Sequence, residues 1–191
     1  MDFKPIPIGV EDFKELVNKW YYFVDKTFMI KDIIDIKSSV NLFTRPRRFG
    51  KTLNMSMIQR YFEKTEEDNA YLFEGLNISK AGEQYKEYQG QYPVITLSLK
   101  SMKQSCFEDA FLLFKNIISK EFYRHKEIVS SDNISEVNKK EYISIVEKTA
   151  DNSQYLYALK LLSDCLKEAY NKNVIILIDE YDVPIESAYF G

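Results

Sequence analysis

Apolar positions along this chain recur with two different periods, and the changes of period mark out its elements. From Lys51 onward Leu53, Met57, Ile58, Tyr61 and Phe62 return every three or four residues. That spacing predicts an amphipathic helix with one buried face, ending before or within the charged stretch Glu63 to Asp68. Phe107, Ala110, Phe111, Phe114, Ile117, Ile118 and Phe122 trace a second such face, and Ser105 with Glu108 has the spacing of a capping box at its start. After a polar loop over Val129 to Glu136, Lys139 to Lys148 reads as a short helix. Tyr155, Leu159, Leu162 and Leu166 predict another, with Ser153 as its cap and the Asn171-Lys172-Asn173 turn signal at its end.

Other apolar runs lack a helical period. Val40-Asn41-Leu42-Phe43-Thr44 is a short β-prone run, and Pro93 to Leu99 reads as a strand with proline at its first position. Val174 to Ile178 is the most apolar run of all. Its branched side chains do not alternate with polar ones, as expected of a central parallel strand buried on both faces. Strands alternate with helices, and no repeat, low-complexity tract or linker interrupts them, so the pattern predicts a single α/β unit.

Composition narrows the setting. With 191 residues, 45% hydrophobic and 29% charged, the chain can bury a sizeable core. A net charge of −3 supplies no overall field for holding a polyanion, so any nucleic-acid contact would be local. The cysteines, Cys106 and Cys165, are too few for a disulfide scaffold, which predicts a reducing compartment. The N-terminus has prolines and acids where a signal peptide has an apolar run, and no stretch approaches the ~20 apolar residues of a membrane span. A cytoplasmic protein with no membrane partner is expected. His125 is the sole histidine, which excludes a metal site built on several histidines. Lying in the charged sequence EFYRHKE, it is expected on the solvated surface.

The chemistry concentrates at two places. Gly50-Lys51-Thr52, entered from the expected strand and opening a helix, forms the second half of the P-loop pattern GxxxxGK followed by Ser or Thr. A helix N-terminus offers unpaired N–H groups and the positive end of its dipole to a phosphate. Gly50 lets the backbone approach the anion, Lys51 can reach the β and γ phosphates, and the Thr52 hydroxyl can sit on Mg²⁺. Arg45 stands where the first glycine belongs, and Pro46 has no backbone donor. The arginines Arg45, Arg47 and Arg48 by themselves would fit a solvated basic loop; the Gly50-Lys51-Thr52 that follows them favours an anion site.

The second place is the end of the apolar run, where Ile178 leads into Asp179-Glu180. An apolar strand ending in Asp-Glu is the Walker B signature. It puts the first carboxylate at the C-terminal edge of the sheet, where open α/β folds bind ligands. Asp179 would hold Mg²⁺ directly or through water, and Glu180 would orient or deprotonate the attacking water. The plain alternative is an acidic loop capping the next helix.

These motifs resemble the AAA-ATPase-like domain of bacterial and archaeal proteins that usually carry a C-terminal PD-(D/E)XK nuclease-like domain. The matching stretches are Pro7 to Phe13, Tyr22 to Thr27, Arg45 to Leu53 and Ile178 to Ile185, which together span nearly the whole chain. The Arg-Pro-Arg-Arg-Phe-Gly-Lys form of the loop is usual there, which makes Arg45 a family trait. The resemblance implies a P-loop NTPase fold, a three-layer α/β/α arrangement with a mainly parallel sheet, incomplete at the C-terminus. It implies ATP and Mg²⁺ as cofactors, with Arg47, Arg48, Phe49, Gly50, Lys51, Thr52 and Leu53 on the nucleotide. Thr52 and Asp179 would hold the metal, and Glu180 and Lys51 would carry the catalytic roles. The segment around Ile8, Gly9 and Phe13 is expected near the base, with hydrophobic packing an equal expectation for Phe13. A further strand and the nuclease-like domain, through which nucleic acid would be contacted, are expected beyond Gly191, making residues 1–191 the N-terminal portion of the nucleotide-binding domain. An open sheet of this kind would favour a homo-oligomer. A nucleotide-responsive module without useful turnover and a fragment that binds nucleic acid through its arginine loop are the rival readings.

Overall fold

A computed structural model of the protein describes residues 4–44, 49–104 and 106–184. Its contacts divide the chain into two compact units, Met1–Tyr92 and Pro93–Gly191.

The first unit contains α1 (Phe13–Asn18), α2 (Phe28–Ile36), α3 (Lys51–Phe62) and α4 (Glu83–Lys86), with single 3-10 turns at Ala70–Phe73 and Ile78–Lys80. α1 starts where the Asp12 side chain accepts from the Glu15 N–H. Its core is aromatic. Phe13 stacks on Phe73 with ring centroids 5.3 Å apart, while Tyr61 meets Phe73 edge-on at 5.0 Å and Phe62 at 5.2 Å. All four rings are buried, and burial pushes the Tyr61 hydroxyl up to about 12. The helical face expected after Lys51 is therefore real: Met57, Ile58, Tyr61 and Phe62 are its buried members.

Val40 to Thr44 departs from expectation. It forms no strand, and Val40, Leu42 and Phe43 are exposed. A β-prone run takes up strand geometry only where a neighbour accepts its backbone hydrogen bonds and covers its side chains, and this run has neither among the described residues.

The second unit begins with β1 (Val94–Ser98), continues through α5 (Phe107–Arg124), α6 (Glu136–Val146) and α7 (Asn152–Tyr170), and closes with β2 (Ile175–Asp179). β1 and β2 pair in parallel, in register from Val94↔Ile175 to Ser98↔Asp179. A parallel pair needs a crossover, and the three helices supply it. They lay Ile118, Phe122, Tyr142, Ile145, Tyr155 and Leu162 against Ile95 and Leu97 to form this unit's core. Buried among them, the Cys165 thiol is pushed up to about 12, which leaves it inert.

Several details differ from the sequence reading. β2 is not covered on both faces: Ile176 and Ile178 are 41% and 40% exposed. Ile176 and Ile178 pair with Ile95 and Leu97 and so share their face of the sheet; the helices bury the β1 pair there and leave the β2 pair partly open. α5 takes Cys106 as its N-cap, one residue later than the capping box at Ser105 requires, and Ser105 itself lies outside the described residues. α7 is capped by Asp151, not Ser153. The Asp151 carboxylate accepts from the Gln154 N–H, and the Gln154 side chain accepts from the Asp151 N–H. Ser153 falls in the first turn and donates to the same carboxylate. His125 is buried at 5% exposure, because the turn after α5 folds it back onto β1. Among the described residues, no helix is long and apolar enough to cross a membrane.

Candidate functional site

The glycine ahead of α3 is what lets that helix begin at Lys51. Gly50 is the N-cap, with φ 74°, a left-handed conformation that a residue without Cβ adopts at no steric cost. Its carbonyl accepts the first intrahelical bond from Asn54 N–H at 2.9 Å. No side chain among the described residues hydrogen-bonds back to cap the helix, so its leading peptide groups are not closed off by a capping side chain. Lys51, Thr52 and Leu53 fill the first turn and are partly buried, and Phe49, just before it, is 58% exposed. Arg47 and Arg48 lie outside the described residues.

Two polar ties hold the body of this helix to the N-terminal segment. The Phe13 N–H donates to Ser56 Oγ at 2.9 Å, and Arg60 Nη2 donates to Asp12 at 2.7 Å. Burial works against the charge on Asp12, but Arg60 and the first-turn amides of α1 outweigh it and hold the carboxyl below its ordinary range. Lys14 adds an ion pair to Glu67. The segment leading from Ile8 to Phe13 is thus fastened to the helix that carries Lys51 and Thr52. Phe13 itself is core, stacked and 2% exposed, so of its two expected roles it takes packing.

The acidic pair sits at the C-terminal end of β2, in the second unit. Asp179 is 7% exposed. Its carbonyl accepts from Leu99 N–H at 3.0 Å, which continues the β1–β2 ladder past Ser98. Its Oδ1 accepts from Glu180 N–H, also at 3.0 Å. Glu180 has φ 53°, a left-handed backbone that a side-chain-bearing residue adopts at a cost of about 1–2 kcal/mol. The strand therefore stops abruptly, and the chain turns with the Glu180 side chain at the bend.

Lys51, Thr52 and the loop belong to one unit, and Asp179 and Glu180 to the other. The two places offer different chemistry. The helix mouth offers N–H donors and an ammonium for phosphate oxygens, and the strand end offers carboxylates. Among the described residues no three His, Cys, Asp or Glu side chains cluster as a metal cage. A magnesium ion suits such a setting, because it is commonly held by one or two protein oxygens together with phosphate and water.

Sequence reasoning passed over Asp12, Ser56 and Arg60, although Asp12 with Glu15 three residues on is a helix-start signal. It also assigned no role to Asp25 and Thr27. Asp25 accepts from the Thr27 N–H, the Thr27 hydroxyl and the Asn77 N–H, and Thr27 Oγ1 accepts from the Ile78 N–H at 3.0 Å. Nothing in the spacing signals the ties to Asn77 and Ile78, because these partners lie about fifty residues away in the sequence.

No solved structure matches the chain. A relative from Azotobacter chroococcum mcd 1, described as "Uncharacterized protein in vnfD 5'region", is 30% identical over 99 residues. That match covers 51% of this chain but only 17% of the relative, so the chain corresponds to a small part of that protein's length. The AAA-ATPase-like family model, described as "Predicted AAA-ATPase", matches residues 7–189, across both units and through Gly50-Lys51-Thr52 and Asp179-Glu180. The chain is therefore a member of the AAA-ATPase-like family.

Proposed function

We propose that this protein binds ATP with Mg²⁺ and hydrolyses it as a P-loop NTPase of the three-layer α/β/α kind, using residues at the mouth of α3 and residues at the end of β2. The observation that carries the reading is Gly50, whose left-handed φ of 74° starts a helix on Lys51 and Thr52 with no capping side chain among the described residues. Lys51 binds the β and γ phosphates as a point charge, Arg47 and Arg48 add positive charge to the loop, and Phe49 and Leu53 flank the nucleotide. Thr52 and Asp179 hold the metal. Bound Mg²⁺ supplies charge neutralisation on the phosphate oxygens. Glu180 orients the attacking water and accepts its proton. The ties from Asp12 and Phe13 to α3 keep the entry segment beside the phosphate helix, which supports a base position near Ile8 and Gly9.

One observation favours the rival reading of a module that closes on nucleotide without turnover: Val40 to Thr44, which would lead into the loop, forms no strand. A phosphate-release assay combined with equilibrium ATP binding separates the two. Hydrolysis requires Mg²⁺-dependent turnover that Glu180→Gln abolishes while ATP still binds, and that Lys51→Ala abolishes together with binding. Binding without turnover in the wild type leaves the module reading. Absence of ATP binding in the wild type removes both.

A further inference from the structure

The backbone of β1 faces two ways. Pro93 C=O accepts from Ile175 N–H and Leu99 N–H donates to Asp179 C=O, both at 3.0 Å, so the odd-numbered residues of β1 serve β2. Val94, Thr96 and Ser98 then turn their peptide groups to the opposite edge. In a parallel ladder, one residue of a strand on that side would donate its N–H to Val94 C=O and accept from Thr96 N–H. Both groups are already taken by side chains at the C-terminal end of α5 and its cap. Glu121 Oε1 accepts from Thr96 N–H at 2.7 Å, Arg124 Nη2 donates to Val94 C=O, and His125 Nε2 lies 3.1 Å from the same oxygen. A carbonyl only accepts, so Nε2 is the protonated nitrogen of His125.

The three side chains occupy one face of the helix at i, i+3 and i+4 and bind each other. Arg124 grips the Glu121 carboxylate with Nε at 3.0 Å and Nη2 at 2.6 Å, and His125 Nε2 is 3.5 Å from Oε1. Glu121 is 6% exposed and His125 5%. Apolar side chains would cover a sheet edge at lower desolvation cost, but they would leave a peptide N–H and a C=O buried without partners. The strand so covered, Val-Ile-Thr-Leu-Ser, is uncharged and β-prone, the composition most prone to recruit another strand.

We propose that Glu121, Arg124 and His125 form a plug that stands in for one residue of a neighbouring strand, closing the outer edge of β1 to any further strand from this chain or a second copy. The plug needs no nucleotide, so its test is independent of the ATPase reading. In the 191-residue chain, amide exchange at Thr96 is expected to be slowed, as it is at Leu97, whose peptide faces β2. Glu121→Ala should speed Thr96 exchange about tenfold or more while Leu97 stays protected, the change expected for loss of one charge-assisted bond. Glu121→Gln keeps an acceptor oxygen and should retain most of the protection. In sedimentation velocity, Glu121→Ala combined with Arg124→Ala should self-associate with rising concentration, and adding Thr96→Pro, which removes the edge N–H, should suppress this. A wild-type Thr96 amide that exchanges like an unpaired surface amide overturns the plug. So do variants that keep Leu97 protected yet neither expose Thr96 nor associate. If Glu121→Ala also strips protection from Leu97, the unit has unfolded, and the other two chains decide: slow Thr96 exchange in both wild type and Glu121→Gln upholds the plug, and fast exchange in either defeats it.

Discussion

Glu180 combines a backbone conformation that its side chain disfavours with the position assigned to the base in the proposed reaction. Residues held in left-handed φ against their preference tend to sit where function requires a particular direction of the side chain. Glu180→Gly would relieve the conformation, offset in part by glycine's greater freedom in the unfolded chain. The expected result in urea unfolding is a stability unchanged or raised by up to about 1 kcal/mol, with phosphate release lost. A variant less stable by more than about 1 kcal/mol would show that φ is not the governing factor. Thr27 illustrates a different case, a residue whose hydrogen bonds join distant parts of the chain. Its hydroxyl is the acceptor for the buried Ile78 N–H, and it is fully buried. Thr27→Val keeps the shape and removes that acceptor, so it should cost about 1–3 kcal/mol in unfolding and leave nucleotide affinity unaltered.

At the scale of elements, α5 has two duties: its apolar face makes the core of the second unit, and its C-terminal end closes β1. The second duty depends on ionisation. Burial by itself would raise the Glu121 carboxyl above its ordinary 4.5, but hydrogen bonds from His125 and Arg124, the Arg124 charge and the Thr96 N–H together hold it at about 2. The folded chain therefore binds this proton less readily than the unfolded chain does. The stabilisation is fully present above pH 4.5 and is lost as pH falls toward 2. Its size is on the order of 3 kcal/mol. Glu121→Gln should flatten the pH dependence of unfolding across that window, as measured by denaturant midpoints at successive pH values. A slope equal to that of the wild type would assign the acid sensitivity to other carboxylates.

For the molecule as a whole, the division into two compact units, each with its own buried cluster, predicts unfolding that is not a single transition. Phe13→Ala removes a ring from the aromatic cluster of the first unit and should cost it about 3–5 kcal/mol, and Phe122→Ala should do the same to the second. Followed by amide exchange, each substitution should release the amides of its own unit first. Equal loosening of both units by either change would show one cooperative block.

Much of this protein was legible in its residues. The helical period after Lys51, the Phe107 to Phe122 face, the strand after Pro93 and the apolar run into Asp179 each became the element their spacing foretold, because local periodicity determines which face a segment can bury. Gly50-Lys51-Thr52 and Asp179-Glu180 stand at the helix start and the strand end that their local sequence predicted. Long-range contacts decided the rest. Val40 to Thr44 has a strand's composition and no neighbour to pair with among the described residues, and the pattern of β2 suggested full burial where Ile176 and Ile178 are exposed. His125 looked like a surface residue because its partner, Val94, lies 31 positions earlier in the chain. Sequence proximity carries no information about a hydrogen bond of that span; only the packing of α5 against β1 turns a charged helix end into the closure of a sheet.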